Sequence, residues 1–187
     1  MKLWLMRHAQ PRIAKGVCYG QLDISADLEA TQQGAKALAA HLPTGVRVYV
    51  SGLLRARQLA DALMQLRSDL NLQVDTRLNE IDFGIWEGVA WDEIPAEAIQ
   101  QWTDDFAHHR FGGKESTNEV LERVAKALRE LPANEDAVWI THAGVIRAAT
   151  YIVQHGDRVM ASAAEWPVES PKFGEWQCLI VPFSKTT

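Results

Sequence analysis

Four short segments of this 187-residue chain carry side chains fit to handle a phosphoryl group: Arg7-His8, Arg55, Glu80 and His142. A neutral imidazole offers a nitrogen lone pair for attack on phosphorus. Guanidinium forks match phosphoryl oxygens through paired hydrogen bonds, which lysine does less well. A carboxyl group can hand a proton to a leaving alkoxide and later help water attack. Singly, each residue is a weak signal, because an isolated histidine is more often an ordinary hydrogen-bonded residue than a catalyst. Their setting gives them weight. His8, Arg55 and His142 each stand just past an apolar, strand-like run, where open α/β sheets bind ligands.

Those runs set out the elements. Lys2-Leu3-Trp4-Leu5-Met6 has no polar alternation and suits a strand covered on both faces. It is too short for a secretory core or a membrane span, so a cytoplasmic protein is expected. A loop through Gly16 and Gly20 precedes a helical pattern at Ala35, Leu38, Ala39 and Leu42, closed by Pro43 and Gly45. Val46, Val48 and Val50 form a β-branched run, and Ser51 is expected to cap a helix carrying Ala56, Leu59, Ala60, Leu63 and Leu66. Ser116 with Glu119 makes a capping box for a helix through Val120, Val124, Leu128 and Leu131, stopped by Pro132. Ala137 to Ile140 reads as another strand, leading through Thr141-His142-Ala143-Gly144 into a helix that ends near Gly156. The last strand is expected over Gln177 to Val181. This alternation predicts an α/β three-layer sandwich, a mostly parallel sheet flanked by helices, with the C-terminal strand ends on one edge.

Composition limits the function. A chain 47% hydrophobic and 187 residues long can bury one substantial core, so a single domain over 1–187 is expected. The net charge of -5 argues against a general partner role with nucleic acid or an anionic membrane, which needs a basic face. Cys18 and Cys178 stand far apart without a metal-ligand pattern, and reduced thiols are expected. No phosphate-cradling GxxxxGK[ST] or GxGxxG stretch occurs, so nucleotide-triphosphate use is not expected. His8, His142 and a carboxylate could in principle hold a metal, but two arginines in the same pocket would repel it. Neither a metal nor a cofactor is expected.

Leu5-Met6-Arg7-His8-Ala9, Ser51-Gly52-Leu53-Leu54-Arg55-Ala56-Arg57-Gln58, Leu78-Asn79-Glu80 through Gly88, and Thr141-His142-Ala143-Gly144-Val145-Ile146-Arg147 occur in that order. Together they resemble the histidine phosphatase superfamily, the phosphoglycerate-mutase-like fold. The resemblance implies a metal-independent phosphomonoesterase. His8 would form a transient phosphohistidine, Arg7 and Arg55 would bind the phosphoryl oxygens, and His142 with the Ala143 amide would donate to them. Glu80 would be the proton donor, in preference to its neighbours Asp82 and Glu87. The family usually has glycine where Ala9 stands and an asparagine within the stretch Gln10 to Ala14, so Gln10 or Arg12 would have to compensate. Alanine is harmless there if its φ is negative and obstructive if it is positive.

The loop Lys15 to Asp23 and the stretch Glu87 to Ile94 look like the α-ribazole-5′-phosphate phosphatase branch, which acts in cobalamin assembly. A short chain favours hydrolysis over mutase action. Broad-specificity phosphatase, phosphoglycerate-mutase-like and non-catalytic phosphate-binding readings are the alternatives. Residues 80–115 hold Phe83, Trp86, Trp91, Trp102, Phe106 and Phe111, which suit either a lid and substrate-specificity segment or a small subcore. Gln10, Tyr19, Trp86 and Trp91 are the expected substrate contacts. The partner is a small phosphomonoester, and the oligomeric state is not legible.

Overall fold

Leu3 and Leu5 face one side of the first strand and Trp4 and Met6 the other, and both sets are buried, so helices must cover both faces. The computed structural model describes residues 1–156 and 158–182, so residue 157 and residues 183–187 of the expected domain lie outside the described residues. Strands β1 (Lys2–Arg7), β2 (Arg47–Val50), β3 (Asn71–Val74), β4 (Ala137–Thr141) and β5 (Trp176–Ile180) form one sheet in the order β3-β2-β4-β1-β5. The first four are mutually parallel, whereas β5 runs antiparallel to β1. Helices α1 (Leu28–Ala39) and α2 (Leu54–Leu66) pack with Trp4, Met6, Val138 and Ile140 on one face. Helices α4 (Thr117–Arg129) and α5 (Ala143–His155) pack with Leu3, Leu5 and Trp139 on the other. The expected three-layer sandwich is present.

Local details separate the expected from the observed elements. The capping box forms as written, with Glu119 N–H donating to the Ser116 hydroxyl and Ser116 N–H to the Glu119 carboxylate. Helix α1 ends at Ala39, although Leu42 beyond it is still buried in the same cluster. Ser51 does not cap α2. That helix starts at Leu54 after Leu53, and the Asp23 carboxylate from a distant loop accepts the Leu54 N–H at 2.5 Å. The Ser51 hydroxyl is instead committed to Asn79 at 2.9 Å. The edge strand β3 and the helix α3 (Ala96–Asp104) were not expected, because one is short and largely exposed and the other buries no residue fully.

Between α2 and α4 the chain folds into an aromatic cluster rather than into a regular layer. Phe111 is buried against Phe83, Trp86, Trp91 and Trp102, with ring centroids 4.6–6.0 Å apart. Gly84 and Gly112 make the closest crossing. A Cβ on Gly112 would sit 1.8 Å from the Phe83 carbonyl, and its φ of +77° is one that other residues seldom adopt.

Candidate active site

The register puts the C-terminal ends of β2, β4 and β1 side by side: Val50 opposes Ile140, and Arg7 opposes Thr141. The next residue on each strand is Ser51, His142 and His8, so side chains far apart in sequence meet at one edge. His8 N–H bonds the Thr141 carbonyl at 3.0 Å, and Ser51 N–H bonds the Ile140 carbonyl at 3.0 Å. The two histidine rings lie with centroids 5.0 Å apart.

His8 is 1% exposed, and its Nδ1 lies 2.7 Å from the Ala9 carbonyl. That acceptor requires a proton on Nδ1 and leaves the Nε2 lone pair free, which Arg55 Nε–H meets at 3.3 Å. Burial, then the Arg55 guanidinium, and then Arg7 lower the His8 pKa to about 3, against the opposing pull of the Ala9 carbonyl. At neutral pH the ring is uncharged. Arg55 is fully buried and anchored by the carbonyls of Leu22 at 2.7 Å and Gly20 at 2.6 Å. Arg7 donates to the Pro171 carbonyl at 3.1 Å and stacks 3.8 Å above the Phe173 ring, and its Nε is buried without a partner. Ala9 fits without strain: it is fully buried, and Asn134 alone has a positive φ among the described non-glycine residues.

His142 is fully buried, with Nε2 2.8 Å from the Ser51 hydroxyl and Nδ1 without a partner. Burial, followed by His8 and the Arg55, Arg123 and Arg7 guanidiniums, drives its pKa well below the usual histidine range. Of the three carboxylates in the Glu80 segment, only Glu80 lines the adjoining cavity. Its oxygens accept Ile81 N–H at 3.0 Å and Gly144 N–H at 3.3 Å, the second from the first turn of α5. Glu87 is tied to the Gln21 and Phe83 amides, and Asp82 to the Gly84 amide. Arg123 donates to the Glu80 carbonyl at 3.3 Å and the Arg77 carbonyl at 2.5 Å while ion-pairing with Glu115. Thr141 Oγ1 donates to the Leu78 carbonyl at 2.6 Å, so the Glu80 segment is held against the end of β4.

Of these groups Arg7, Glu80, Ala143 and Gly144 line a cavity of about 400 Å³ together with Phe83, Trp91, Trp102, Phe106 and Trp166, whereas His8, Arg55 and His142 are not in its lining. Tyr19 lines it too. Gln10 and Trp86 are outside the lining. Gln10 is exposed beside Pro11, and the Trp86 ring is engaged by Phe111. Arg12 is also exposed and supplies nothing to the site. The segment 80–115 is therefore both a packed aromatic cluster and part of the cavity wall.

Several residues here were not legible beforehand. The segment 166–173 crosses the site: Trp166 lines the cavity, Val168 and Pro171 accept from Arg147 and Arg7, and Phe173 lies 5.5 Å from the His8 ring. It follows no periodic pattern that would have marked it. Arg147 lines the same cavity with a buried, unpartnered Nε. Its place three residues after Gly144 on α5 was a usable signal, since α5 starts at the site. Among the described residues no group of three or more His, Cys, Asp or Glu side chains is arranged to hold a metal ion. Cys18 and Cys178 are both free, and burial, with Glu87 and Glu80, pushes the Cys18 thiol up to about 12. No described helix is long and apolar enough to cross a membrane.

Known proteins resemble this chain in sequence and fold. The chain is similar to a 6-phosphofructo-2-kinase/fructose-2,6-bisphosphatase of Caenorhabditis elegans, 30% identical over 154 residues, covering 78% of this chain but 32% of that protein. It spans about a third of that relative's length. It is also similar to the glucosyl-3-phosphoglycerate phosphatase of Mycobacterium tuberculosis, 30% identical over 182 residues, covering 89% of this chain and 78% of the relative. A solved mycobacterial glucosyl-3-phosphoglycerate phosphatase complexed with VO3 superposes at a TM-score of 0.79 and 25% identity, covering 96% of this chain and 90% of that one. The model of one family matches residues 3–166, and by that match the chain belongs to the histidine phosphatase superfamily, branch 1.

Proposed function

We propose that the chain hydrolyses phosphomonoesters in two steps through His8. The His8 Nε2 lone pair attacks phosphorus, the bond from phosphorus to the ester oxygen breaks, and Glu80 supplies the proton that the leaving alcohol needs. Water then attacks the phosphohistidine, Glu80 takes its proton, and the P–N bond breaks to free inorganic phosphate. Arg7 and Arg55 hold the phosphoryl oxygens, and His142 with the Ala143 amide holds the oxygen beside them. The observation that carries this reading is the His8 environment: the ring is buried, two guanidiniums stand close and Nδ1 donates to Ala9, so Nε2 is an uncharged nucleophile facing cationic donors.

For the substrate, the aromatic lining is the guide. Tyr19, Phe83, Trp91, Trp102, Phe106 and Trp166 around a cavity of about 400 Å³ suit a flat, apolar leaving group, which supports α-ribazole 5′-phosphate and a place in cobalamin assembly. The residues 80–115 serve as the specificity segment of a single domain. Arg147 favours a second reading, because an unpartnered guanidinium Nε in the wall suits a carboxylate such as that of a phosphorylated sugar acid. A competition assay separates them. The first reading expects α-ribazole 5′-phosphate to exceed 3-phosphoglycerate in kcat/KM by at least about a hundredfold, and a preference for 3-phosphoglycerate would replace it with the second.

A further inference from the structure

A ring nitrogen that receives a phosphoryl oxygen needs a defined proton inventory, and three residues around His142 define it. Gly52 N–H donates to Asn79 Oδ1 at 2.8 Å, which fixes that atom as the amide oxygen. The Ser51 hydroxyl lies 2.9 Å from the same oxygen and must spend its single proton there. The Ser51 oxygen then meets His142 Nε2 at 2.8 Å as an acceptor, so the proton of the neutral imidazole is on Nε2. Nδ1 is left bare, buried and without a partner.

We propose that Ser51 and Asn79 are positioning residues that lock His142 in its Nε2–H form, so that the proton between Nδ1 and a phosphoryl oxygen arrives with the substrate. This rests on the phosphomonoesterase reading above. A phosphomonoester dianion then binds with uptake of one solvent proton onto Nδ1, whereas a monoanion carries that proton in on its own P–OH group. Both routes end at the same imidazolium–dianion pair, and no other bond changes. The charged and titratable groups around the ring are His8 and Arg7 from the end of β1, Arg55 from α2, Arg123 from α4, and Glu80 against the first turn of α5. Burial, then His8 and the three guanidiniums, keep the resting ring neutral, and an arriving anion offsets the guanidiniums.

The test uses the whole chain and inorganic phosphate. Long-range ¹⁵N–¹H NMR of the resting protein should show His142 protonated at Nε2, and calorimetry in buffers of different ionisation enthalpy should show uptake of about one proton per phosphate near pH 8, where the dianion dominates. Asn79→Ala frees the Ser51 proton to turn toward Nε2, so the tautomer should shift to Nδ1–H and proton uptake should fall toward zero. Asn79→Asp keeps an acceptor for both donors and should restore the Nε2–H form and the uptake, which separates positioning from general damage to the fold. An Nδ1–H ring in the wild type, or unchanged uptake in Asn79→Ala, would overturn the proposal. The NMR result needs no turnover, so failure of the phosphatase reading would show separately, as absence of a phosphohistidine.

Discussion

Gly144→Ala is the sharpest probe of Glu80. Gly144 sits in the first turn of α5, and a Cβ there would lie 2.3 Å from Glu80 Oε1 and 2.9 Å from Ile81 Cδ1, where ordinary contact begins near 3.4 Å. Its backbone is not in the left-handed region, so alanine carries no conformational penalty and adds up to about 1 kcal/mol of helix propensity. The clash falls on the ends of flexible side chains. The fold should therefore survive, while the Glu80 carboxyl retreats by about 1 Å and loses its hydrogen bond from the Gly144 amide. Misplacement on that scale costs on the order of a hundredfold in rate, close to 2.7 kcal/mol in the barrier. The loss should depend on the leaving group, because an alkoxide needs a proton more than a nitrophenolate does. The assay compares kcat for an alkyl phosphate and p-nitrophenyl phosphate, with a melting curve beside it. An equal loss on both substrates, or full activity with a large fall in Tm, would refute the assignment of Glu80 as proton donor.

Arg123→Ala removes the side chain that bridges Glu115 to the carbonyls of Arg77 and Glu80, so Tm should fall by roughly 5 °C and kcat with it, as scanning calorimetry and steady-state assays would record. Phe173→Ala takes away the ring 3.8 Å from the Arg7 guanidinium, and competitive inhibition by inorganic phosphate should weaken roughly fivefold. Between about pH 6.5 and 3 the unfolded chain protonates His8 while the folded chain does not, so the stability held above pH 6.5 is lost as the pH falls. Urea unfolding of the ligand-free protein should show that slope, roughly 1 kcal/mol per pH unit for this group, and His8→Gln should lessen it.

The residues legible in the sequence were those whose signal is local. The β1 run, the Ser116 capping box and the Thr141-His142 turn announced themselves because strand burial, capping chemistry and strand-to-helix handover each leave a mark within a few residues. The sheet then brought His8, His142 and Arg55 together, which alternation alone implied. What stayed hidden depends on distance. Ser51 looked like a cap because its hydroxyl has the right type and place, yet Asn79 and His142 compete for it and Asp23 caps the helix instead. Trp86 and Trp91 are equivalent in sequence and both rings pack on Phe111, yet of the two only Trp91 also reaches the cavity wall. The crossing segment 166–173 is held by arginine side chains from β1 and α5 and has no local signature.

The most direct test is to find where the phosphoryl group rests during turnover. Wild-type protein mixed rapidly with ³²P-labelled substrate and quenched in alkaline detergent should carry label that is stable to base, labile to acid and mapped to the peptide containing His8. The His8→Asn variant should carry none and release no phosphate. Continued turnover by that variant, or label on a residue other than His8, would contradict the account.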